Sequence, residues 1–285
     1  MDEPLIGYDG PTLIPYASVT RHVWGDAEAG EVSDWTFLST DKLTQLLFGM
    51  PPHGAFRHSE NFKTIFAADE LYFVLSGELV LANPATGEIA RAHPGEAIFF
   101  QRDTWHHGFN HSDEPLHVIE YFAPSPAQGT GAAYARQQPN LESVRYVQNE
   151  WVGQWIPPHT ARNQTMCVIR EHDRVLCLDD GMRGITNLLV STSQLTVGVL
   201  ELLPGQHTSA QIHGGDEGVY VLSGQPQIQL PSATGTKWFE LQRGDGFYIP
   251  SGVSRQYYNL SNRPISLLFG IAPHYFPQPD LQTIS

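Results

Sequence analysis

Thirteen histidines and thirty acidic residues stand against sixteen lysines and arginines in this 285-residue chain. Those whose types and spacing could do chemistry fall in two stretches. In the first, Glu70 ends the acidic pair of DELYFVLSG, and a His106-His107 doublet follows downstream. In the second, Gln211-Ile212-His213 leads into Glu217 of DEGVYVLSG, and Arg255 follows with Tyr248 and Tyr257 on either side. A carboxyl group beside imidazoles can move protons or ligate a metal. A guanidinium beside a carboxylate closes an ion pair or clamps an anionic ligand, and because it stays protonated it does not ligate a cation.

The elements that must position these groups are short and repeated. DELYFVLSG (Asp69 to Gly77) and DEGVYVLSG (Asp216 to Gly224) coincide at an offset of 147 residues, and ATG recurs at Ala85 to Gly87 and Ala233 to Gly235. Gly95-Glu96 answers Gly244-Asp245, and Asn110 answers Asn259. Pro115 and Ala123-Pro124 answer Pro264 and Ala272-Pro273 at an offset of 149. One module was duplicated. In each copy, LTQLLFGM and LTVGVLELL, LYFVLSGELVLA and VYVLSGQPQIQL, EAIFF and GFYIP, HVIEYFA and ISLLFGIA are β-rich runs bounded by Gly, Pro, Asn and Asp. Their alternation leaves one face apolar, so an all-β fold of the sandwich or small-barrel kind is expected. Helical periodicity is nearly absent, AAYARQQ being the best short candidate. The Pro/Gly-rich stretch from Ala123 to Pro139 marks a boundary. The expected division is an N-terminal arm over 1–39, a first barrel over 40–124, a connector of strands and loops over 125–184 and a second barrel over 185–285. TLIPYASV in the arm could extend the edge of either barrel.

Composition narrows the function classes. Hydrophobic residues are 41% and charged residues 16%, with 26 Gly and 21 Pro, which excludes a disordered tail and a disulfide or collagen-like scaffold. A net charge of −14 and a pI near 5.2 repel phosphate backbones and anionic lipids, so no nucleic acid and no membrane is expected as partner. The N-terminal MDEPLIGYDG has neither the basic nor the apolar region of a secretion signal, and Cys167 and Cys177 have no CxxC spacing. The expected setting is the reducing cytoplasm.

The spacing then resembles a known family. Pro204-Gly205, five residues, Gln211-Ile-His213, three residues, Glu217, six residues and Gly224 resemble the first cupin motif, G-x5-HxH-x3-E-x6-G. Gly244, five residues, Pro250-Ser-Gly252, two residues, Arg255, three residues and Asn259 resemble the second, G-x5-PxG-x2-H-x3-N. The first copy supplies Glu70 and Gly77, then Gly95, Gln101-Arg-Asp103, His106 and Asn110. The resemblance covers roughly residues 40 to 124 and 190 to 275 and implies a bicupin: two tandem double-stranded β-helix, or jelly-roll, barrels in one chain.

In metal-binding cupins the motif histidines and carboxylate point into the barrel, a set suited to Fe, Mn, Ni, Cu or Zn. Here each copy keeps part of it. The first has Glu70 and His106, while Thr64 and Phe66 occupy the other imidazole positions. Eighteen residues separate Pro52 from Glu70 against thirteen between Pro204 and Glu217, so an insertion remodels this edge. His58 in that insertion is a replacement ligand, with His53, Glu60 and His107 in reserve, and His58, Glu70 and His106 would form a two-His, one-carboxylate set with open positions for substrate or dioxygen. The alternative is a vestigial pocket in which His106 and Glu70 hydrogen-bond each other. In the second copy Arg255 argues against a metal. It either pairs with Glu217 and fills the barrel, or clamps a carboxylate, phosphate or sugar hydroxyl alongside Gln211, with His213 as acid or base and Tyr257 or Tyr248 lining the mouth.

Two functions are expected from this. One is a cupin-type metalloenzyme of dioxygenase, isomerase or lyase type, acting on a small organic acid, phenol or sugar derivative in the N-terminal barrel through His106 and Glu70. The other is a metal-free bicupin that binds or acid-base processes a sugar or carboxylate through His213, Gln211, Glu217 and Arg255 of the C-terminal barrel. A small-molecule substrate is common to both. Pairing of sheet edges is frequent in the family, so the resemblance admits a homodimer.

Overall fold

Runs rich in Val, Ile, Leu, Phe and Tyr between glycine and proline turns become strands here. The computed structural model describes residues 6–59, 62, 64–84, 86–125, 165–179, 184–231 and 237–276. The AAYARQQ helix candidate and Glu60 lie outside the described residues. These hold twenty-one strands, two short 3-10 turns and no α-helix, and none of their helices is long and apolar enough to cross a membrane.

Two compact units divide the chain. One groups Thr20–Thr36 with Leu46–His172, the other Leu5–Val19 and Phe37–Gln45 with Asp173–Ser285. The first unit faces a large sheet against a four-stranded one. The strands of the large sheet that matter here are β3 (Gly30–Ser39), β4 (Thr44–Met50), β6 (Asp69–Ser76), β9 (Ala97–Phe100), β11 (Leu116–Ala123) and β12 (Met166–Ile169), ordered β12-β9-β6-β11-β4-β3 and closed by β2 (Arg21–Asp26). The smaller sheet runs β5 (Ala55–Phe56), β10 (His107–Asn110), β7 (Leu79–Ala82), β8 (Ile89–Ala92). Leu46, Phe48, Phe56, Tyr72, Val74, Phe100 and Phe122 belong to the core between them.

The second unit repeats this ladder. Its large sheet is ordered β1-β19-β16-β21-β15-β14-β13, built from β1 (Thr12–Ile14), β13 (Val175–Leu178), β14 (Ile185–Ser191), β15 (Thr196–Leu202), β16 (Asp216–Ser223), β19 (Gly246–Ile249) and β21 (Ile265–Ala272). It faces β18 (Lys237–Glu240), β17 (Gln227–Leu230) and β20 (Gln256–Tyr258). The TLI of the N-terminal stretch is thus β1, antiparallel to β19 with Thr12 opposite Tyr248. In the first unit β12 plays the same part on β9.

Several motif residues serve the frame. Gly77 and Gly224 end β6 and β16 with φ of +73° and +79°, and a Cβ at either would fall 2.8 Å from Leu116 Cα or 2.5 Å from Ile265 Cγ2. A side chain is excluded on both counts, which is why VLSG recurs. Asn110 Nδ2 donates to the carbonyls of Pro51 (3.1 Å) and Glu114 (2.7 Å), and Asn259 Nδ2 to those of Leu202 (2.9 Å) and Arg263 (2.8 Å). In each copy a serine hydroxyl, Ser112 or Ser261, donates to the asparagine oxygen at 2.7 Å. Both asparagines are buried, and each pins the turn after β10 or β20 by bridging two backbone carbonyls.

Candidate functional site

On β6, alternation puts Glu70, Tyr72 and Val74 on the face that meets the core, so a carboxyl group and a phenol enter the first barrel two residues apart. Across the ladder, Glu120 of β11 stands opposite Tyr72, and Phe100 of β9 stands opposite Glu70. His106 arrives from the turn before β10, where its N–H donates to the Thr64 carbonyl at 3.0 Å. Its Nδ1–H donates to the Thr104 carbonyl (3.2 Å), which leaves Nε2 to accept from the Tyr72 hydroxyl at 3.1 Å. The ring lies among aromatic neighbours, 4.6 Å from Phe100, 6.0 Å from Phe56 and 6.1 Å from Phe66 between centroids.

Burial decides the protonation of this group. The Glu70 carboxyl is pushed well above its ordinary range, by burial first; a hydrogen bond with Glu120 opposes the rise and the Asp69 charge adds to it. Two carboxyl groups hydrogen-bonded to each other must hold a proton between them. Tyr72 is also raised well, by burial and then by the charges of Glu120, Glu70 and Asp34, and it too is hydrogen-bonded to Glu120. His106 is held down to about 4 by burial, which its bond to the Thr104 carbonyl only partly offsets. Proton counting orders the chain. The single Tyr72 proton faces two acceptors, His106 Nε2 and the Glu120 carboxyl, while the proton of the carboxyl pair lies between Glu120 and Glu70. One atom of this chain is left over: Glu70 Oε2 is buried without a hydrogen-bond partner, as is the Thr64 hydroxyl.

The second barrel gathers a different set. Arg255, 3% exposed, donates from NH2 to Glu217 Oε1 (3.2 Å) and to His213 Nε2, and from NH1 to Gln211 Oε1 (3.3 Å). Its Nε lies 2.8 Å from Glu217 Oε2, a Coulombic contact off the hydrogen-bond axis. Tyr257 donates to Glu217 Oε1 at 2.8 Å and stacks under the guanidinium, 5.4 Å from its ring centre. Burial by itself raises the Glu217 carboxyl, yet Arg255, His213 and the hydrogen bonds carry it below its ordinary value, and Arg255 is raised in turn. His213 Nδ1–H donates to the Tyr275 carbonyl, and Asp179 holds Gln211 Nε2 (3.1 Å) and the Ser209 hydroxyl (2.8 Å). The guanidinium fork is therefore filled from within.

The structure thus brings Gln211, His213, Glu217, Arg255 and Tyr257 together and leaves Tyr248 apart. Tyr248 alternates with Phe247 and Ile249 of the core, faces away from it and donates to Asp216 Oδ2 at 3.2 Å. In the first barrel Glu70 and His106 join one chain through Tyr72 and Glu120, without a direct bond to each other. His58 is not with them: its Nδ1 sits 2.6 Å from Nε2 of His107, and its ring packs 4.7 Å from Trp105. His107 is fully buried and alternates away from His106 along β10, so the loop that carries His58 meets the other face of that strand. His53 is exposed, 3.0 Å from Asp113. Among the described residues no three His, Cys, Asp or Glu side chains gather as a metal would require. The donors present do not fit the ion that the cupin motifs imply: one imidazole faces a carboxyl pair that shares a proton, and in the other barrel a guanidinium occupies the centre.

Tyr72 and Glu120 were not singled out by spacing. Glu120 had a signal, a lone acid in the apolar run HVIEYFA and in phase with the inward Leu116, Val118 and Phe122. Tyr72 had none, because an aromatic residue in a β-strand is ordinary core.

The cupin domain family matches residues 67–122 and 198–271. No curated protein matches the sequence. Among solved structures, a glyoxylate-induced protein from Pseudomonas aeruginosa is similar at 16% identity, with 97% of this chain and 94% of that one covered and a TM-score of 0.65. The oxalate decarboxylase of Lactobacillus farciminis, in a formate complex, is similar at 16% identity, 96% and 89% coverage and 0.63. AerE from Microcystis aeruginosa is similar at 15% identity, 89% and 97% coverage and 0.60. At these identities the likeness is one of fold.

Proposed function

This chain is a two-domain cupin protein, and we propose that its N-terminal barrel is the reaction chamber of an isomerase or lyase that moves a proton on a small organic molecule. The observation that carries the reading is the unpartnered Glu70 Oε2 at the end of the buried chain from Glu120 through Tyr72 to His106. A carboxyl pair that holds one proton can present either an acid or a base at its open oxygen. When Glu120 keeps the shared proton, Glu70 Oε2 takes a proton from a carbon beside a carbonyl, and the electron pair of that C–H bond moves into an enolate. The same Oε2–H then returns the proton to a neighbouring carbon, which is isomerisation, or the enolate expels a leaving group on the next carbon, which is elimination. Tyr72 and His106 act as positioning residues: neutral at pH 7, they keep the Glu120 carboxyl oriented and let the pair redistribute its charge without water.

The second barrel is read as a strut. Its Arg255 is already neutralised by Glu217, so an anionic ligand would have to displace an internal ion pair. The deciding experiment is solvent deuterium incorporation, followed by NMR, into a panel of small enolisable carbonyl compounds. Exchange abolished by Glu70→Gln and cut about tenfold to a hundredfold by Tyr72→Phe or His106→Asn supports the assignment. Exchange that survives Glu70→Gln but is lost in Arg255→Met would move the chemistry to the C-terminal barrel. Activity that returns to chelator-treated protein only with an added divalent metal, in Glu70→Gln as in the parent, would overturn the reading as well.

A further inference from the structure

We propose that the ligand of the N-terminal barrel is a small, flat, uncharged oxygen compound, a phenol or a conjugated ketone, and not a carboxylate or phosphate. The inference rests on the reading of that barrel as the reaction chamber and names what the chamber accepts. Among the described residues Arg255 is the single buried arginine or lysine, and it lies in the second unit, bound to Glu217. The buried titratable groups of the first barrel around Tyr72 are the acids Glu70, Glu120 and Asp34, which are 1%, 8% and 8% exposed, and the imidazole of His106, which burial keeps neutral at pH 7. An anion placed there would surrender its hydration, meet no cation and face carboxyl groups. The rest of the lining is aromatic. Phe48 meets Tyr72 edge-on at 5.1 Å, Phe100 meets it at 5.0 Å, and Phe56, Phe66 and Phe100 surround the imidazole. Such walls favour a ring or a conjugated plane offered face or edge. Two of the buried polar atoms without a hydrogen-bond partner belong here, the Glu70 Oε2 acceptor or donor and the Thr64 hydroxyl, which belongs to the residue whose carbonyl anchors His106. One hydroxyl or ketone oxygen would satisfy either of them, so a single neutral oxygen on a flat apolar body matches what the barrel leaves open.

The test compares phenol and cyclohex-2-enone with benzoate, which has a similar ring but a full negative charge, by calorimetry and ligand-observed NMR on the full chain at pH 7. At least one neutral probe is expected to bind ten times or more tightly than benzoate. Thr64→Val, which removes a hydroxyl that no protein group uses, is expected to weaken the neutral probe about fivefold while the thermal midpoint holds. Glu70→Gln serves as a second variant, with a loss of the same size. Benzoate binding as tightly as either neutral probe overturns the inference, as does neutral binding indifferent to both variants or no neutral binding at millimolar concentration. A neutral probe that binds as expected yet exchanges no deuterium leaves this ligand class standing and removes the isomerase reading, so the two can fail separately.

Discussion

The two barrels share a ladder and differ inside it by a handful of rungs. Both bury a glutamate at the same place, Glu70 and Glu217, each 1% exposed. A buried carboxylate must be protonated or paired, and each barrel takes one of those routes. In the first, the rung Tyr72·Glu120 supplies a second carboxyl and a phenol, and the proton stays. In the second, the matching rung is Val219·Phe269 and the charge is met by Arg255, which stands where the first barrel has His106. Tyr257 occupies the position of Gly108, where a Cβ would fall 2.4 Å from the Phe56 ring. The lesson is that these positions change as a set. Arg255 without Val219, Phe269 and Tyr257 would meet an extra acid, and Glu120 without Tyr72 would lose one of its hydrogen bonds.

The largest test of that contrast is removal of the cation. Arg255→Met leaves Glu217 buried without its counter-charge and should cost about 3–5 kcal/mol in urea unfolding. Glu70→Gln, in a barrel where the carboxyl already holds a proton, should stay within about 1 kcal/mol. Equal losses would erase the distinction between a paired and a protonated glutamate. Adding Glu217→Leu to Arg255→Met should recover most of the loss, since no buried charge then remains.

The pH dependence of the two glutamates should have opposite sign. Glu70 is raised, so its contribution to stability is present below its unfolded value of 4.5 and is lost as pH climbs toward its folded one. Glu217 is lowered, so its contribution is present above 4.5 and is lost as pH falls. Relative to the parent, Glu70→Gln should therefore gain stability from pH 5 to pH 8, whereas the deficit of Glu217→Gln should shrink as pH falls below 4.5. His106 adds an acid limb. Its imidazole is depressed from 6.5 to about 4, so the folded state weakens by roughly 3 kcal/mol as pH drops across that window. His106→Asn should flatten this limb, and an unchanged acid profile would count against a buried neutral imidazole.

The smallest expected difference concerns the shared frame. Asn110→Ala and Asn259→Ala each remove two donors from backbone carbonyls and should cost about 1–3 kcal/mol apiece, alike within error. A large inequality would mean that one asparagine does something besides fixing its turn.

Much of the frame was legible from residue order. The VLSG repeats, the Gly-acid pairs and the asparagines fell at their structural counterparts because each answers a local demand, a positive φ or a pair of carbonyls to be bridged in a tight turn. The site was legible in part. Glu70, His106, Glu217, Arg255, Gln211, His213 and Tyr257 lie in the barrel interiors, since period-two alternation carries the motif register inward. Tyr248 has the wrong parity for that face. His58 reads as a ligand by its nearness in sequence to Glu70, yet the inserted loop brings it to His107 on the opposite side of β10.

The sequence by itself determined the duplication, the β ladder of each copy and the two buried glutamates, because strand alternation and glycine turns are properties of neighbouring residues. Only the tertiary structure decided how each glutamate is kept. Glu120 lies fifty residues beyond Glu70 and Arg255 thirty-eight beyond Glu217, and whether such groups share a proton or a charge depends on cross-strand register and on the exclusion of water, which local order does not encode.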